Sequence, residues 1–218
     1  MAGVRLAVFD CDGTLSDGQA AVCAAMATGF AEAALPAPAN HDVRRIVGLS
    51  LPEAVARLAP DATPEAQAHV VDAYKAAFRL AREEGRLREP LYDGIAPLLR
   101  RLHADGWKLG VATGKSDRGL AACLTTHGVA GLFTTLQTAD RHPSKPHPAM
   151  LEQAMADAGA HPADTVMIGD TVFDMTMAEM AGVRALGVSW GYHERAELLA
   201  AGAAAVADTP EELEGLLQ

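Results

Sequence analysis

Cysteine is scarce. The 218 residues hold three, Cys11, Cys23 and Cys123, with no CxxC pair, so neither a disulfide framework nor a structural zinc site is expected and a reducing, intracellular setting fits. Long apolar runs are missing as well. None approaches the roughly 20 residues of a membrane-spanning helix, and the chain enters a strand-like run at Val4 without a charged-then-apolar leader. The expectation is a soluble, cytoplasmic protein with no membrane partner. Positive charge is in deficit, with 18 Lys and Arg against 28 Asp and Glu and a formal net charge of −10. Lacking a basic stripe for a phosphate backbone, the chain is not expected to bind nucleic acid, and an anionic substrate would need a local cationic device. Internal repeats and low-complexity linkers are absent too. What the chain does have is a 50% hydrophobic content, enough at this length for one ordinary domain with a modest insertion. Nothing in it sets an oligomeric state.

Two compositions divide the sequence. From Asp17 to Gly85 the pattern is helical: Val22, Met26 and Phe30 recur at four, Val71, Tyr74 and Phe78 at three and four, and Thr63-Pro64 reads as an N-cap followed by proline in the first turn. Beyond Pro90, short apolar runs alternate with amphipathic segments. Strands are expected at 109–112, 132–136, 165–168 and 184–188, and helices at 95–103, 120–127, 149–158 and 175–181. Val4 to Phe9 supplies a first strand of the same sheet. The reading is therefore a Rossmann-like, doubly wound α/β core (residues 1–16 and 86–218) with a helical cap inserted at 17–85. The alanine-rich 200–207 segment carries no signal.

The first strand ends in Asp10-Cys11-Asp12-Gly13-Thr14-Leu15. Two carboxylates at i and i+2 of an extended segment point the same way and repel unless a cation, a proton or a phosphoryl group's partners hold them. Gly13 lets the backbone turn sharply and approach a ligand. Parallel sheets bind ligands beyond the carboxyl ends of their strands, and the other ends are equally polar: Thr113-Gly114-Lys115-Ser116, a loop ending in Ser144-Lys145-Pro146, and Gly169-Asp170-Thr171 to Asp174. Acid pair, hydroxyl, lysine and acid pair share the logic of phosphoryl transfer. Asp10 and Asp170 with a backbone carbonyl suit Mg²⁺, a carboxylate can attack phosphorus, and Thr113, backbone N–H groups near Gly114 and Lys145 can steady the phosphoryl oxygens.

With these four motifs in order, the chain resembles haloacid dehalogenase superfamily hydrolases of the phosphoglycolate phosphatase-like subgroup with a helical cap. The likeness continues through Met180-Ala181-Gly182 and Gly187 to Tyr192. It implies Asp10 as nucleophile and Asp12 as the acid that protonates the leaving oxygen and then activates water. It also implies Mg²⁺ held by Asp10, the Asp12 carbonyl and Asp170, with Asp174 supporting the metal's waters or Lys145. Gly114 stands where Asn often follows the threonine in that family, and Cys11 between the acids is expected to pack as a small apolar residue.

The remaining candidates are weaker. Thr113-Gly114-Lys115-Ser116 is not a P-loop, because Leu109 occupies the first glycine position. Lys115 is expected to be a solvated residue at a helix start, and His147 and both tryptophans, Trp107 and Trp190, to be structural. In the cap, Arg44 and Arg45 offer a guanidinium fork for a substrate carboxylate, the alternative being a solvated helix face; Arg45 is the substrate-binding candidate. Asp12 argues against a dehalogenase, which has no alkoxide to protonate. Lys75, in a helix with an apolar face, argues against an imine-forming phosphonatase. A β-phosphoglucomutase-like enzyme, a pyrophosphatase and a nucleotidase stay open, while a phospho-acceptor signalling domain needs neither cap nor Asp12. The expected reaction is Mg²⁺-dependent hydrolysis of a small phosphorylated metabolite, 2-phosphoglycolate first.

Overall fold

Leu6–Phe9 forms strand β1, and all four side chains are buried, as a central parallel strand covered on both faces requires. Successive side chains alternate between faces: Ala7 and Phe9 join one apolar cluster with Ile95, Leu98 and Leu213, whereas Leu6 and Val8 join another with Met150, Leu151 and Met175. The computed structural model describes residues 3–218, to which all statements below refer.

After β1 the chain leaves for four helices, α1 (Gln19–Glu32), α2 (Asn40–Arg45), α3 (Leu51–Leu58) and α4 (Pro64–Glu83). It then returns through α5 (Ile95–Ala104), β2 (Lys108–Thr113), α6 (Asp117–Thr126), β3 (Phe133–Thr138), α7 (Ala149–Ala158) and β4 (Thr165–Gly169). The last elements are α8 (Val172–Met180), β5 (Arg184–Val188), α9 (Arg195–Ala200), β6 (Ala205–Ala207) and α10 (Pro210–Leu217). The strands pair in parallel in the order β3-β2-β1-β4-β5-β6. This is the doubly wound order, whose direction of winding reverses between β1 and β4, opening a crevice at their carboxyl ends.

The four inserted helices pack around their own apolar cluster of Val22, Met26, Phe30, Val43, Val55, Val70 and Val71. At the start of α4, Thr63 Oγ1 accepts a hydrogen bond from Ala66 N at 3.3 Å, and Pro64 takes the first helical position, the capping read from the sequence. The two crossings between cap and sheet lie side by side: Asp17 N donates to the Pro90 carbonyl at 2.8 Å, and Tyr92 N to that of Leu15 at 3.0 Å.

The alanine-rich 200–207 segment holds the end of α9 and the edge strand β6, which the sequence reading left blank. Three residues are too few to display alternation, and β6 is fixed by pairing with β5. No helix among the described residues is long and apolar enough to cross a membrane.

Candidate active site

Asp10 prolongs β1 by one residue, its N–H donating to the Ile168 carbonyl of β4 at 2.9 Å. The backbone then folds back, with Leu15 N and Ser16 N each 2.9 Å from the Cys11 carbonyl and Gly13 at φ 86°. That positive φ is one reason for glycine. The other is room, since a Cβ on Gly13 would overlap the Asp170 carboxylate. Trp190 pins the same turn, its Nε1 donating to the Thr14 carbonyl at 3.1 Å, so this tryptophan anchors the loop as well as packing.

Across the crevice, β4 delivers Asp170 and the first turn of α8 delivers Asp174. Asp170 Oδ1 accepts from Thr14 Oγ1 at 2.8 Å and Oδ2 from Tyr192 N at 2.9 Å. Asp174 Oδ2 accepts from Thr171 N at 3.1 Å and Thr171 Oγ1 at 2.7 Å, and Oδ1 receives Lys145 Nζ at 2.6 Å. Lys145 Nζ also stands 3.0 Å from Asp10 Oδ1, which takes a further hydrogen bond of 2.6 Å from Cys11 N.

Asp10, Asp170 and Asp174 bring carboxylate oxygens within 4.8 Å of one another, and all three residues are buried. Burial lifts the Asp10 carboxyl to about 7, with Lys145 opposing, and lifts Asp170 far above the usual range, with Asp10 and Asp174 adding to the effect. Although burial favours its neutral amine, Lys145 is held firmly protonated by Asp10 and Asp174. One lysine among three acids leaves negative charge uncompensated, and Asp10 Oδ2 is buried without a hydrogen-bond partner among the described residues. An orphaned oxygen in an acid-rich set is the chemistry of a cation site. The Asp12 carboxylate lies outside this cluster, leaving that residue its backbone carbonyl as a contribution.

Thr113 closes β2, 1% exposed, and its Oγ1 accepts from Lys115 N at 3.3 Å, which leaves the hydroxyl proton free to donate. A side chain on Gly114 would overlap the Leu49 carbonyl and come within 2.8 Å of that of Gly48. The cap backbone therefore rests directly on the place where an asparagine side chain would project. Between cap and sheet lies a cavity of about 430 Å³, in the range of sites for ligands well beyond a single phosphate. Its floor is Asp10, Asp12, Thr113, Gly114 and Lys115, its cap wall includes Met26, Leu49, Tyr74 and Phe78, and Lys75, Arg79 and Arg118 line it too.

A model of the haloacid dehalogenase-like hydrolase family matches residues 7–188, which takes in β1 and its aspartates, the inserted helices and the sheet as far as β5. The chain belongs to this family. Among curated relatives it is 35% identical to "Probable phosphatase IndB" of Dickeya dadantii, covering 96% of this chain and 92% of that one. It is 26% identical to a phosphoglycolate phosphatase of Vibrio vulnificus, covering 96% and 94%. Its fold is that of a predicted phosphatase from Clostridium acetobutylicum, with TM-score 0.88 at 24% identity over 99% of both chains. A haloacid dehalogenase-like family protein from Streptococcus pneumoniae also shares it, with TM-score 0.86 at 24% identity and full coverage of both.

In this haloacid dehalogenase-like hydrolase, Asp10, Asp12, Gly13, Thr113, Gly114, Lys145, Asp170 and Asp174 converge at the β1/β4 crevice. Arg45 does not. Its guanidinium is engaged with Glu197 of α9, both N···O distances being 2.7 Å, and Arg44 is exposed. The end of α2 faces the sheet domain, where the Arg45 carbonyl also meets His193 Nε2 at 3.2 Å, so neither arginine lines the cavity. Apart from Lys115 on its floor, the cavity cations come instead from α4 and α6. Lys75 is one of them, so the apolar face of its helix does not keep it from the cleft. Lys115 is not solvated: its side chain is 10% exposed, 3.0 Å from Asp12 Oδ1 and 2.6 Å from Glu89 Oε1. His147 is exposed and accepts from Ala149 N at 3.2 Å, starting α7. Cys11 is buried, and its thiol is raised by Cys123 and by burial.

Proposed function

We propose that this hydrolase is a Mg²⁺-dependent phosphatase that releases phosphate from a small organic phosphomonoester through an aspartyl-phosphate on Asp10. The observation that carries this reading is the free Asp10 Oδ2, buried at the floor of the cleft between Lys145 and a second carboxylate pair. Asp10 attacks phosphorus, the P–O bond to the leaving alcohol breaks, and Asp12 passes a proton to the departing oxygen. Asp12 then takes a proton from water, whose oxygen attacks the same phosphorus and returns Asp10 as a carboxylate. Thr113 Oγ1, the backbone beside Gly114 and Lys145 Nζ hold the equatorial oxygens during both displacements. Asp10, the Asp12 carbonyl and Asp170 would hold the Mg²⁺, with Asp174 behind Lys145, and the ion would supply positive charge against the acids and the phosphate.

The names of the relatives support a phosphatase, and 2-phosphoglycolate is the reference substrate because several of them are phosphoglycolate phosphatases. Lys75, Arg79 and Arg118 line the cavity without a carboxylate partner among the described residues, which favours a substrate with a second anionic group. These cations are the local device that an acidic chain needs. The test is phosphate release from a panel of phosphorylated metabolites with Mg²⁺ present, in wild type and Asp10→Asn. Release by wild type alone supports the reading, and comparable release by both overturns it.

A further inference from the structure

Asp12 is held differently from the other acids of the site. Asp10, Asp170 and Asp174 each accept hydrogen bonds from backbone or hydroxyl groups. Asp12 Oδ1 is buried without any such bond, and the ammonium of Lys115 at 3.0 Å is the one cation within 4 Å of its carboxylate among the described residues. Lys115 is fixed in turn. Glu89 takes its Nζ at 2.6 Å, Arg82 of α4 approaches Glu89 at 3.7 Å, and His127 Nε2 donates to the Glu89 carbonyl at 2.8 Å. Glu89 lies on the return crossing from the cap, one residue before the Pro90 carbonyl that receives Asp17 N. Gly18 leaves room beside this pair, since a Cβ there would stand 3.0 Å from Asp12 Oδ1 and 3.8 Å from Glu89 Oε1. The φ of Gly18 is −101°, so space and not backbone freedom calls for glycine here.

We propose that Lys115, clamped by Glu89, is a positioning residue that aims the Asp12 carboxylate at the leaving oxygen and later at water. The proposal rests on the reading of Asp12 as acid and base. A carboxylate that donates, then accepts, cannot be locked by several hydrogen bonds, yet among three other acids it would turn away unless a cation held it. A single ion pair to a lysine that is itself immobilised meets both needs. Glu89 also occupies the charge of Lys115, which separates it in role from Lys145, the lysine at the nucleophile.

The test is a series of aryl phosphates from 4-nitrophenyl to phenyl phosphate, with kcat/KM plotted against the leaving phenol's pKa. A nitrophenolate leaves without a proton, whereas phenolate gains from one. Lys115→Met should steepen the plot, with a loss on phenyl phosphate on the order of tenfold or more beyond that on the nitrophenyl ester, and Lys115→Arg should restore much of the wild-type slope. Glu89→Gln should steepen it in the same direction, and carries the test if Lys115→Met does not fold. Parallel losses across the series, an unchanged slope, or no recovery in Lys115→Arg would overturn the proposal by assigning Lys115 to phosphate binding or packing. Asp12→Asn is run alongside. If that variant keeps the wild-type slope, the acid–base reading fails first; if it steepens the slope while Lys115→Met and Glu89→Gln do not, the positioning proposal alone fails.

Discussion

Arg45 of α2 and Glu197 of α9 meet in a two-pronged ion pair, Nη1 and Nη2 each 2.7 Å from a carboxylate oxygen. The pair ties the cap to the sheet domain across 152 residues of sequence. Hydrogen bonding from Arg45 holds the Glu197 carboxyl down to about 2 from an ordinary 4.5. A depressed acid contributes stability that is present above about 4.5 and is lost as pH falls toward 2. Arg45→Ala should therefore lower the thermal midpoint at pH 7 by a few degrees, an effect of about 1 kcal/mol or less for so exposed a pair. The deficit should close between pH 4.5 and 2. Selectivity among phosphate esters should stay unchanged, and a KM shift confined to carboxylate-bearing substrates would return Arg45 to the substrate site.

Most of the site is legible in the sequence because it sits at strand ends. β1, β2 and β4 carry short apolar runs, and the polar residues that end or follow them, Thr113 at the end of β2 and Asp10 and Asp170 just after β1 and β4, are local to the signal. Partners that are far apart in sequence are not legible. Lys115 reads as a solvated helix start until Glu89, 26 residues away, and Asp12 close on it. Arg45 reads as a substrate fork until α9 is placed, and nothing in Thr14 or Tyr192 announces that both hold Asp170. The half-buried faces of Tyr74 and Phe78 look like core by period alone, because the four-residue spacing is the same whether the stripe meets protein or a cavity.

The cavity cations give a prediction about substrate. Arg79 and Arg118 line the cleft without carboxylate partners among the described residues. Arg79→Ala and Arg118→Ala should raise KM for 2-phosphoglycolate by about tenfold, as loss of a charged hydrogen bond does, with a much smaller change for phenyl phosphate. Initial-rate kinetics on the two esters decide it. Equal shifts on both would mean that these arginines act on the phosphate or the cap, not on a second anion.

Metal binding is testable without turnover. Mg²⁺ that binds only the folded protein raises its stability, by about 2.7 kcal/mol at a hundredfold excess over Kd. The thermal midpoint of the chelator-treated protein should rise on titration with Mg²⁺, and Asp170→Asn should flatten the response. Ca²⁺, which prefers more ligands and looser geometry, should support phosphatase activity poorly. A midpoint indifferent to Mg²⁺, together with full activity in excess chelator, would remove the metal from the proposed mechanism.

Gly114 tests how tightly the cap must seat. Its Cβ would overlap the Leu49 carbonyl, backbone that cannot swing aside, whereas a Cβ on Gly131 meets nothing within 4 Å. Gly114→Ala should cost about 1–3 kcal/mol, as overpacking does, and should lower kcat/KM by displacing the cap wall. Gly131→Ala serves as the control and should match wild type in melting and in rate.

Asp12→Asn separates an enzyme that turns over from a domain that stores a phosphoryl group. Asn keeps the shape of Asp12 and its backbone carbonyl but can neither give the proton to the leaving oxygen nor take one from water. With 4-nitrophenyl phosphate the first displacement needs little proton donation, so Asp10 should still be phosphorylated at a substantial rate. The second displacement needs a base to activate water, so the intermediate should accumulate. Rapid mixing should then give a burst of nitrophenolate approaching one equivalent per active site, followed by turnover slowed by on the order of 10² to 10⁴, the usual worth of a general base. Lys115, left facing a neutral amide, retains Glu89 at 2.6 Å, so the pocket keeps its charge partner and folding should be unaffected. A folded, Mg²⁺-binding Asp12→Asn protein that gives no burst would show that Asp12 places the nucleophile instead of moving a proton. A burst with no slow phase would mean that water is activated by another group.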